Sequence, residues 1–156
     1  MLDLSIKRGQ IEDLDLVKPL WEKLNSLHES LSPNFKERFQ KMNWDKRKSN
    51  LISKTGKLLL EYVIDNKNDK IVAYCISTIE KENEKVGEID SIFVEKELRK
   101  SGIGKQLMDN AINWLISQNT ETQKLLVGVG NEKVIDYYKQ FDFHPLHIVL
   151  QRKDIK

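Results

Sequence analysis

Apolar and polar residues alternate along several stretches of the chain, and this alternation predicts β-strands. The first is residues 4–7, and three more follow in succession at 57–64, 70–79 and 86–94. The segments that separate these three are short and rich in Asp, Asn, Glu and Lys. Turn-forming residues between consecutive apolar runs favour hairpins. We therefore expect the three runs to form an antiparallel meander.

Apolar residues at three- and four-residue intervals predict helices in four other segments. The first helix should begin near Asp15 and reach Leu31, because Pro19 is tolerated only near a first helical turn. A weaker pattern predicts a second helical segment over residues 35–52. The remaining two helices are expected at 102–117 and 131–140.

Two later runs complete the predicted sheet. Residues 125–129 are continuously apolar, which is typical of a strand covered on both faces, and residues 143–150 predict a last strand. A helix lies between the strand at 86–94 and the run at 125–129, so these two strands should be parallel. The pattern as a whole indicates a mixed α/β (α+β) fold.

Size and composition restrict the classes of protein that fit. A chain of 156 residues suits a single domain, residues 1–156, around one core. The net charge of +2 is too small to indicate nucleic acid, and no apolar run approaches the roughly 20 residues that cross a bilayer. We expect a cytoplasmic protein without a membrane partner or a metal site. Cys75 is the single cysteine, and its strand-like surroundings indicate a core residue.

The strongest chemical signal is a glycine-containing turn between the strand at 86–94 and the helix that follows. Ser101-Gly102-Ile103-Gly104 lets the main chain approach a ligand closely and accepts positive φ angles. Free N–H groups and a positive dipole at a helix N-terminus bind phosphate, and Arg99, Lys100 and Lys105 add positive charge. The turn therefore predicts a polyphosphate ligand.

Two motifs resemble the GNAT-type N-acetyltransferases. Arg99-x-x-Gly102-x-Gly104 resembles the acetyl-CoA signature Q/R-x-x-G-x-G/A of that family, and residues 131–143, NEKVIDYYKQFDF, are similar to its second block, N-x-x-A-x-x-F-Y-x-x-x-G-F. The resemblance implies a mixed sheet of about six to seven strands, with the meander and a splayed parallel pair, and about four helices. It also implies acetyl-CoA as cofactor and direct acetyl transfer to a primary amine of a small molecule or peptide.

The resemblance also assigns roles to individual residues. The main chain of Ile92, Phe93 and Val94 would bind the pantetheine arm, and Asn131 would touch it while its side chain caps the helix that follows. Tyr138 would protonate the leaving thiolate, whereas Tyr137 takes a core position. The pyrophosphate would lie on the N–H groups of Arg99, Lys100, Ser101, Gly102, Ile103, Gly104 and Lys105.

The general base is left open by the sequence. Glu88 and Asp90 alternate on one face of the strand at 86–94 and could accept the proton directly or through water, or they could be solvated charges on an exposed face. His28 and His144 are weaker candidates, and His144 is expected on a surface turn. Negative charge develops on the carbonyl oxygen of the acetyl group during transfer, and a strand N–H near Phe93 or Val94 would stabilise this oxyanion.

Residues His28, Phe35, Phe39 and Trp44 either line an acceptor cleft or pack the first two helical segments together. One departure from the family pattern is Asp142, which stands where the family has Gly before Phe143, at a position that often needs positive φ. The identity of the amine cannot be read from the sequence. A homodimer is one outcome that the resemblance implies, since last strands in this family often pair two chains.

Two other functions compete with acetyl transfer. A dinucleotide-binding fold would need G-x-G-x-x-G, but Leu107 occupies the place of the third glycine. In addition, an antiparallel meander before the glycine turn does not fit that architecture. A catalytically inactive acyl-CoA sensor on the same scaffold is the stronger alternative. Tyr138 argues against the sensor, because binding alone does not need a proton donor.

Overall fold

One mixed sheet of five strands organises the molecule, and helices cover both of its faces. The computed structural model describes residues 1–153. The sheet order is β1-β2-β3-β4-β5; neighbours are antiparallel from β1 to β4, whereas β4 and β5 are parallel. The strands are β1 (Leu4–Gly9), β2 (Thr55–Asp65), β3 (Lys70–Glu80), β4 (Val86–Val94) and β5 (Thr122–Lys124). The predicted first strand and meander are therefore confirmed.

Five α-helices accompany the sheet in the described part of the chain. They are α1 (Lys18–Leu31), α2 (Lys36–Lys41), α3 (Trp44–Lys54), α4 (Ile103–Ser117) and α5 (Ile135–Lys139). Pro19 lies in the first turn of α1, as predicted, and a 3₁₀ helix, Ile11–Val17, precedes it. The single segment predicted over 35–52 is wrong, because Asn43 starts a new helix by accepting a hydrogen bond from the Lys46 N–H.

Two apolar clusters fill the space on either side of the sheet. On one face, α4 packs on β3 and β4 through Ile103, Leu107, Met108, Ala111 and Leu115. On the other, α1 and α3 cover residues such as Leu60, Tyr74 and Phe93. We call these the α4 face and the α3 face. β3 lies between the two clusters and is buried on both faces, from Val72 to Ile79.

A β-bulge interrupts the pairing of β3 with β4. Ile76 pairs with Ser91 and Ser77 pairs with Ile89, so Asp90 is an extra residue in β4. Because of the bulge, neighbouring Asp90 and Ser91 both contact the α3 face, where Asp90 meets Lys54 and Ser91 meets Tyr74. The bulge therefore concentrates polar side chains on that face.

The parallel strands separate soon after they meet. β5 is only three residues long and pairs with Val86–Glu88, the first three residues of β4. The predicted strand at 125–129 is wrong, since the chain diverges from β4 after Lys124, and Leu126 is 83% exposed. The predicted last strand at 143–150 is also wrong, because no neighbouring strand pairs with it. The described residues thus contain five strands where six to seven were expected.

Within residues 1–153, no helix combines the length and the apolar composition that crossing a bilayer requires.

Candidate active site

The turn before α4 has the geometry of an anion cradle. Gly102 precedes the helix with φ +91°, a left-handed conformation that favours glycine, and offers no side-chain cap itself. Three of the seven N–H groups predicted to bind the pyrophosphate are already bonded, because those of Arg99 and Ser101 donate to main-chain carbonyls and that of Ile103 donates to the Ser101 hydroxyl oxygen. A Cβ atom on Gly104 would lie 3.2 Å from the Tyr137 hydroxyl oxygen and 3.7 Å from Val94 Cγ2. A methyl group at this position requires only a small shift of the Tyr137 hydroxyl, whereas a larger side chain would fill the space, so a small residue here fits close approach of a phosphate group.

An open depression of about 550 Å³ adjoins the same turn. It is lined by Leu2, Leu4, Ile6, Ser101, Gly102, Ile103 and Gln106. Arg99 lies on the other side of the turn, where its Nε donates to the Val94 carbonyl oxygen at 3.0 Å and its guanidinium lies 5.5 Å from the centre of the Phe93 ring. The guanidinium of Arg99, one of the three positive charges predicted for this turn, is thus held at the C-terminal end of β4.

The second half of β4 has one unpaired edge. The Glu95 N–H donates to the Val72 carbonyl at 2.9 Å, and bonding direction alternates along an antiparallel pair. The main chain of Phe93 therefore faces β3, whereas those of Ile92 and Val94 face the side from which β5 has diverged. Of the three residues predicted to contact the pantetheine arm, Ile92 and Val94 present main-chain groups to this gap.

Two adjacent tyrosines of α5 approach the site in different ways. Tyr138 packs against the core of the α4 face, and among residues 1–153 its hydroxyl has no hydrogen-bond partner. Burial, with smaller effects of Cys75 and Tyr137, raises the pKa of Tyr138 to about 12. Tyr137 was expected in the core, but it is 39% exposed and its hydroxyl lies beside Gly104. The helical turn places this ring outward, 5.4 Å from the Tyr138 ring.

Four polar side chains on the α3 face form a compact group that we call the β4 polar cluster: Lys54, Thr78, Glu88 and Asp90. Lys54 Nζ lies 2.5 Å from Asp90 Oδ1 and 3.4 Å from Glu88 Oε1, and the Thr78 hydroxyl donates to Asp90 Oδ2. The Asp90 side chain is fully buried, so an exposed strand face is the wrong interpretation of this pair. The bulge and the end of α3 together enclose the carboxylates.

Electrostatics differ among the charged members of this cluster. Burial raises the pKa of Glu88 above its usual value, and the neighbouring Asp90 raises it further, whereas Lys54 and Lys124 oppose the shift. Burial alone would lower the pKa of Lys54, but its bonds with Asp90 and Glu88 raise it. Glu88 is thereby a more basic carboxylate than an ordinary glutamate, and Lys54 remains a cation.

Comparison with known proteins decides the family. The sequence model of the acetyltransferase (GNAT) family matches residues 24–143, well over half of the chain. The chain belongs to the GNAT acetyltransferase family. An uncharacterised N-acetyltransferase of Methanocaldococcus jannaschii is 38% identical over 74 residues, which are 47% of this chain and 32% of that protein. The match thus spans about a third of that relative.

Solved structures show the same GNAT fold. A candidate acetyltransferase of Pyrococcus furiosus superposes with a TM-score of 0.76 at 17% identity, over 97% of this chain and 100% of that chain. An aminoglycoside acetyltransferase from an uncultured soil metagenomic sample, solved with trehalose, has a TM-score of 0.65 at 18% identity, over 98% and 97% of the two chains. At such low identity, these similarities concern the fold.

The second GNAT motif departs from expectation at Asn131. This residue precedes the 3₁₀ helix Glu132–Val134, yet its side chain makes no capping hydrogen bond, so the predicted cap is wrong. The Glu132 carboxylate instead accepts the Gly130 N–H at 2.9 Å. Asp142 has φ +65°, which confirms that this position of the motif is left-handed and that aspartate tolerates it.

Most of the aromatic residues of the first helices pack together. Trp44 is buried against Trp21, with ring centres 5.6 Å apart, and its Nε1 donates to Asp15. The His28 ring meets the edge of Phe39, and burial, followed by the charge of Arg47, lowers the pKa of His28. These contacts favour packing over a cleft lined by these side chains.

His144, one of the two histidines of the last segment, lies near a surface turn. His144 is exposed and pairs with Asp142 at 2.8 Å, as expected of a surface turn. No group of three or more His, Cys, Asp or Glu residues within 1–153 is arranged to hold a metal ion.

Two residues near the candidate site were not singled out by the sequence analysis. The Arg47 guanidinium donates to the Asp90 carbonyl oxygen at 3.2 Å, on the α3 face of the bulge. Gly130 has φ +105°, and a Cβ there would lie 2.0 Å from the Leu31 carbonyl oxygen. An arginine in a lysine-rich helix and a glycine in a polar loop are too common to be singled out before the chain is folded.

Proposed function

We propose that this protein transfers an acetyl group directly from acetyl-CoA to a primary amine of a small molecule or peptide. The observation that carries the proposal is the gap between β4 and the chain that follows β5. It is bordered by main-chain groups of Ile92 and Val94 and ends at the turn before α4. A ligand with a thioester at one end and a polyphosphate at the other matches these two features, with the thioester in the gap and the polyphosphate at the turn.

The cofactor would be held mainly by the backbone. The N–H groups of Lys100, Gly102, Gly104 and Lys105, which make no hydrogen bond within residues 1–153, would bind the pyrophosphate, helped by the α4 dipole. The edge of β4 would pair with the pantetheine amides. Asn131 adds a side-chain amide that is free of any capping bond. The space beside Gly104, which a side chain larger than a methyl group would fill, supports this fit. The bound cofactor supplies an activated acetyl thioester.

Tyr138 would serve as the proton donor to the departing thiolate. The Tyr138 side chain is half-buried, its hydroxyl has no partner within residues 1–153, and its raised pKa keeps the phenol protonated at neutral pH. Because the hydroxyl oxygen is not fully buried, a ligand atom can reach it. The Val94 N–H, which faces the gap, would stabilise the oxyanion; the Phe93 N–H faces β3.

Glu88 is the better supported of the two predicted bases. Both carboxylate oxygens of Asp90 already have partners, because one contacts Lys54 and the other accepts a hydrogen bond from the Thr78 hydroxyl. Glu88 has only the longer contact to Lys54, and its raised pKa makes it a stronger base. The attacking amine would lose its proton to Glu88 directly or through a water molecule.

The assignment of partners and location extends the same proposal. The exposed apolar side chains of the C-terminal segment, among them Leu146, Ile148, Val149 and Leu150, suit the predicted homodimer. No membrane or nucleic-acid partner is proposed, and the cytoplasm is the proposed location.

Turnover is the decisive test. The protein is incubated with acetyl-CoA and a panel of amines, and free thiol is followed with and without each amine. We expect thiol release above the hydrolysis background for at least one amine, together with a mass increase of that amine by one acetyl group. Tight binding of acetyl-CoA without release for any amine would support the sensor instead.

A further inference from the structure

Arg47 is a cation without a counter-ion at the centre of the α3 face. Its one side-chain hydrogen bond goes to the Asp90 carbonyl oxygen, and no carboxylate within residues 1–153 pairs with it. By contrast, Lys48 of the same helix pairs with Asp15, and Lys54 pairs with Asp90. Arg47 is half-buried as a residue, and four of its five N–H donors make no hydrogen bond within residues 1–153, so they remain available to a ligand.

The location of Arg47 points to the acceptor. Its guanidinium contacts the bulge residue Asp90, two positions before Ile92, whose main chain faces the gap. Since a strand rises about 3.3 Å per residue, two positions correspond to about 7 Å. The same charge influences the titration of His28 in α1 and of Tyr74 in β3. Arg47 therefore lies between the helices and the strand that would carry the reacting groups.

The charges near Arg47 are already paired with one another. The carboxylates of Glu88 and Asp90 are buried and contact Lys54, and Lys124 pairs with Glu80. Arg47 differs in that no carboxylate within residues 1–153 pairs with it, so an anionic group of a ligand can take that place.

We propose that Arg47 binds a carboxylate of the acceptor, so that the substrate class is amino acids or short peptides that carry a carboxylate near the reacting amine. A guanidinium has five donors in a planar fork that matches a carboxylate with two parallel hydrogen bonds. The bond to Asp90 uses one donor and fixes the orientation of the fork. Arg47 would thus select the acceptor and align its amine. This inference rests on the proposed acetyl transfer.

The test uses pairs of acceptors that differ only in the carboxylate: lysine with pentane-1,5-diamine, and phenylalanine with 2-phenylethylamine. Binding to the coenzyme A-loaded protein is measured by calorimetry, and transfer by kcat/KM. We expect the wild type to prefer the carboxylate member of each pair by at least about tenfold, as charged hydrogen bonds allow.

Substitution of Arg47 separates recognition from folding. Arg47→Gln keeps a donor for the Asp90 carbonyl; it should lower kcat/KM for the carboxylate members by about ten- to a hundredfold and leave the decarboxylated members within about twofold. Arg47→Lys should retain part of the preference. Lys46→Gln removes one charge from an exposed position of α3 and should change nothing.

The outcomes distinguish this inference from the proposed function. Transfer to both members of each pair with equal efficiency, or an equal loss for both in Arg47→Gln, would overturn the role of Arg47 and leave acetyl transfer standing. Preferential binding of the carboxylate members without turnover would support Arg47 and contradict acetyl transfer. Failure of the carboxylate members to bind at millimolar concentration would also overturn the inference.

Discussion

The proposed cofactor site at the edge of β4 and the proposed acceptor site on the α3 face are built from different kinds of groups. On the cofactor side, the candidate donors are main-chain groups of β4 and of the continuous segment Arg99–Lys105, and glycine is needed where a side chain would block the ligand. On the acceptor side, the polar groups come from α3, β3 and β4, at positions 47, 54, 78, 88 and 90. A backbone site leaves a short sequence motif, whereas a side-chain site leaves none.

This difference between main-chain and side-chain groups explains which of the two proposed sites can change its ligand specificity. A backbone cradle binds one invariant group, the diphosphate, whatever the neighbouring side chains are. The acceptor side can change its specificity by single substitutions at distant positions while the fold and the cofactor site persist. The predictions below test this separation, beginning with the largest expected effect.

Gly104→Val should remove detectable binding of coenzyme A while the protein stays folded. The branched side chain would occupy the space between Tyr137 and Val94 and cover the first turn of α4. Gly104→Ala is the matched control, and the smaller methyl group should largely preserve binding, since only the Tyr137 hydroxyl must shift. Calorimetry measures both, with circular dichroism as the check of folding. Normal affinity in the valine variant would place the phosphates elsewhere.

Tyr138→Phe should lower the rate of transfer by about ten- to a thousandfold with little change in coenzyme affinity, because a general acid is lost. Tyr137→Phe is the matched control, since the adjacent hydroxyl lies beside Gly104 and not at the proposed thiolate. Stopped-flow measurement of thiol release compares the two. Equal rates in the wild type and in Tyr138→Phe would exclude Tyr138 from the mechanism.

Gly130→Ala should destabilise the protein by about 1–3 kcal/mol, because φ +105° is strained for alanine and its Cβ would collide with the Leu31 carbonyl. This contact joins the loop before Asn131 to the end of α1, so the variant tests whether the two sides are independent. We expect a higher KM for the amine as well. Gly128→Ala, where a Cβ meets open space, is the control in urea denaturation. Similar stabilities of the two variants would contradict the close packing.

Lys54→Met should move the acidic limb of the pH profile of kcat/KM to higher pH. Glu88 must be deprotonated to act as a base, and Lys54 holds its pKa down against burial and Asp90. Loss of the cation therefore raises the pKa of Glu88 further. The shift should be modest, because the Lys54 side chain is 40% exposed and Lys124 remains nearby. Lys46→Met is the control. A shift toward lower pH would exclude Glu88 as the titrating base.

The sequence predicted the fold where local pattern and pairing coincide. The span of β4 was predicted to the residue, and the turn at Gly102 was recognised because glycine at a strand–helix junction has few alternatives. The run at 125–129 was misassigned because apolar character alone does not supply a hydrogen-bonded neighbour, and β5 ends at Lys124. The strand predicted at 143–150 is wrong for the same reason.

The acceptor side was less predictable because its geometry depends on tertiary contacts. Glu88 and Asp90 were identified as candidates, but the bulge that buries Asp90 beside Lys54 depends on how β3 and β4 pair. Arg47 could not be distinguished from the other basic residues of its helix before Asp90 was placed next to it. Helical spacing did not predict which of Tyr137 and Tyr138 faces solvent.

The unpaired half of β4 has a practical consequence for handling the protein. Amide and carbonyl groups along an open strand edge are adhesive toward any extended peptide, including another copy of the same molecule. Within residues 1–153, no neighbouring strand covers this margin beyond Glu88. A ligand lying in the gap would mask these groups, so preparations saturated with coenzyme A should store longer and stay clear at concentrations where the bare polypeptide turns turbid.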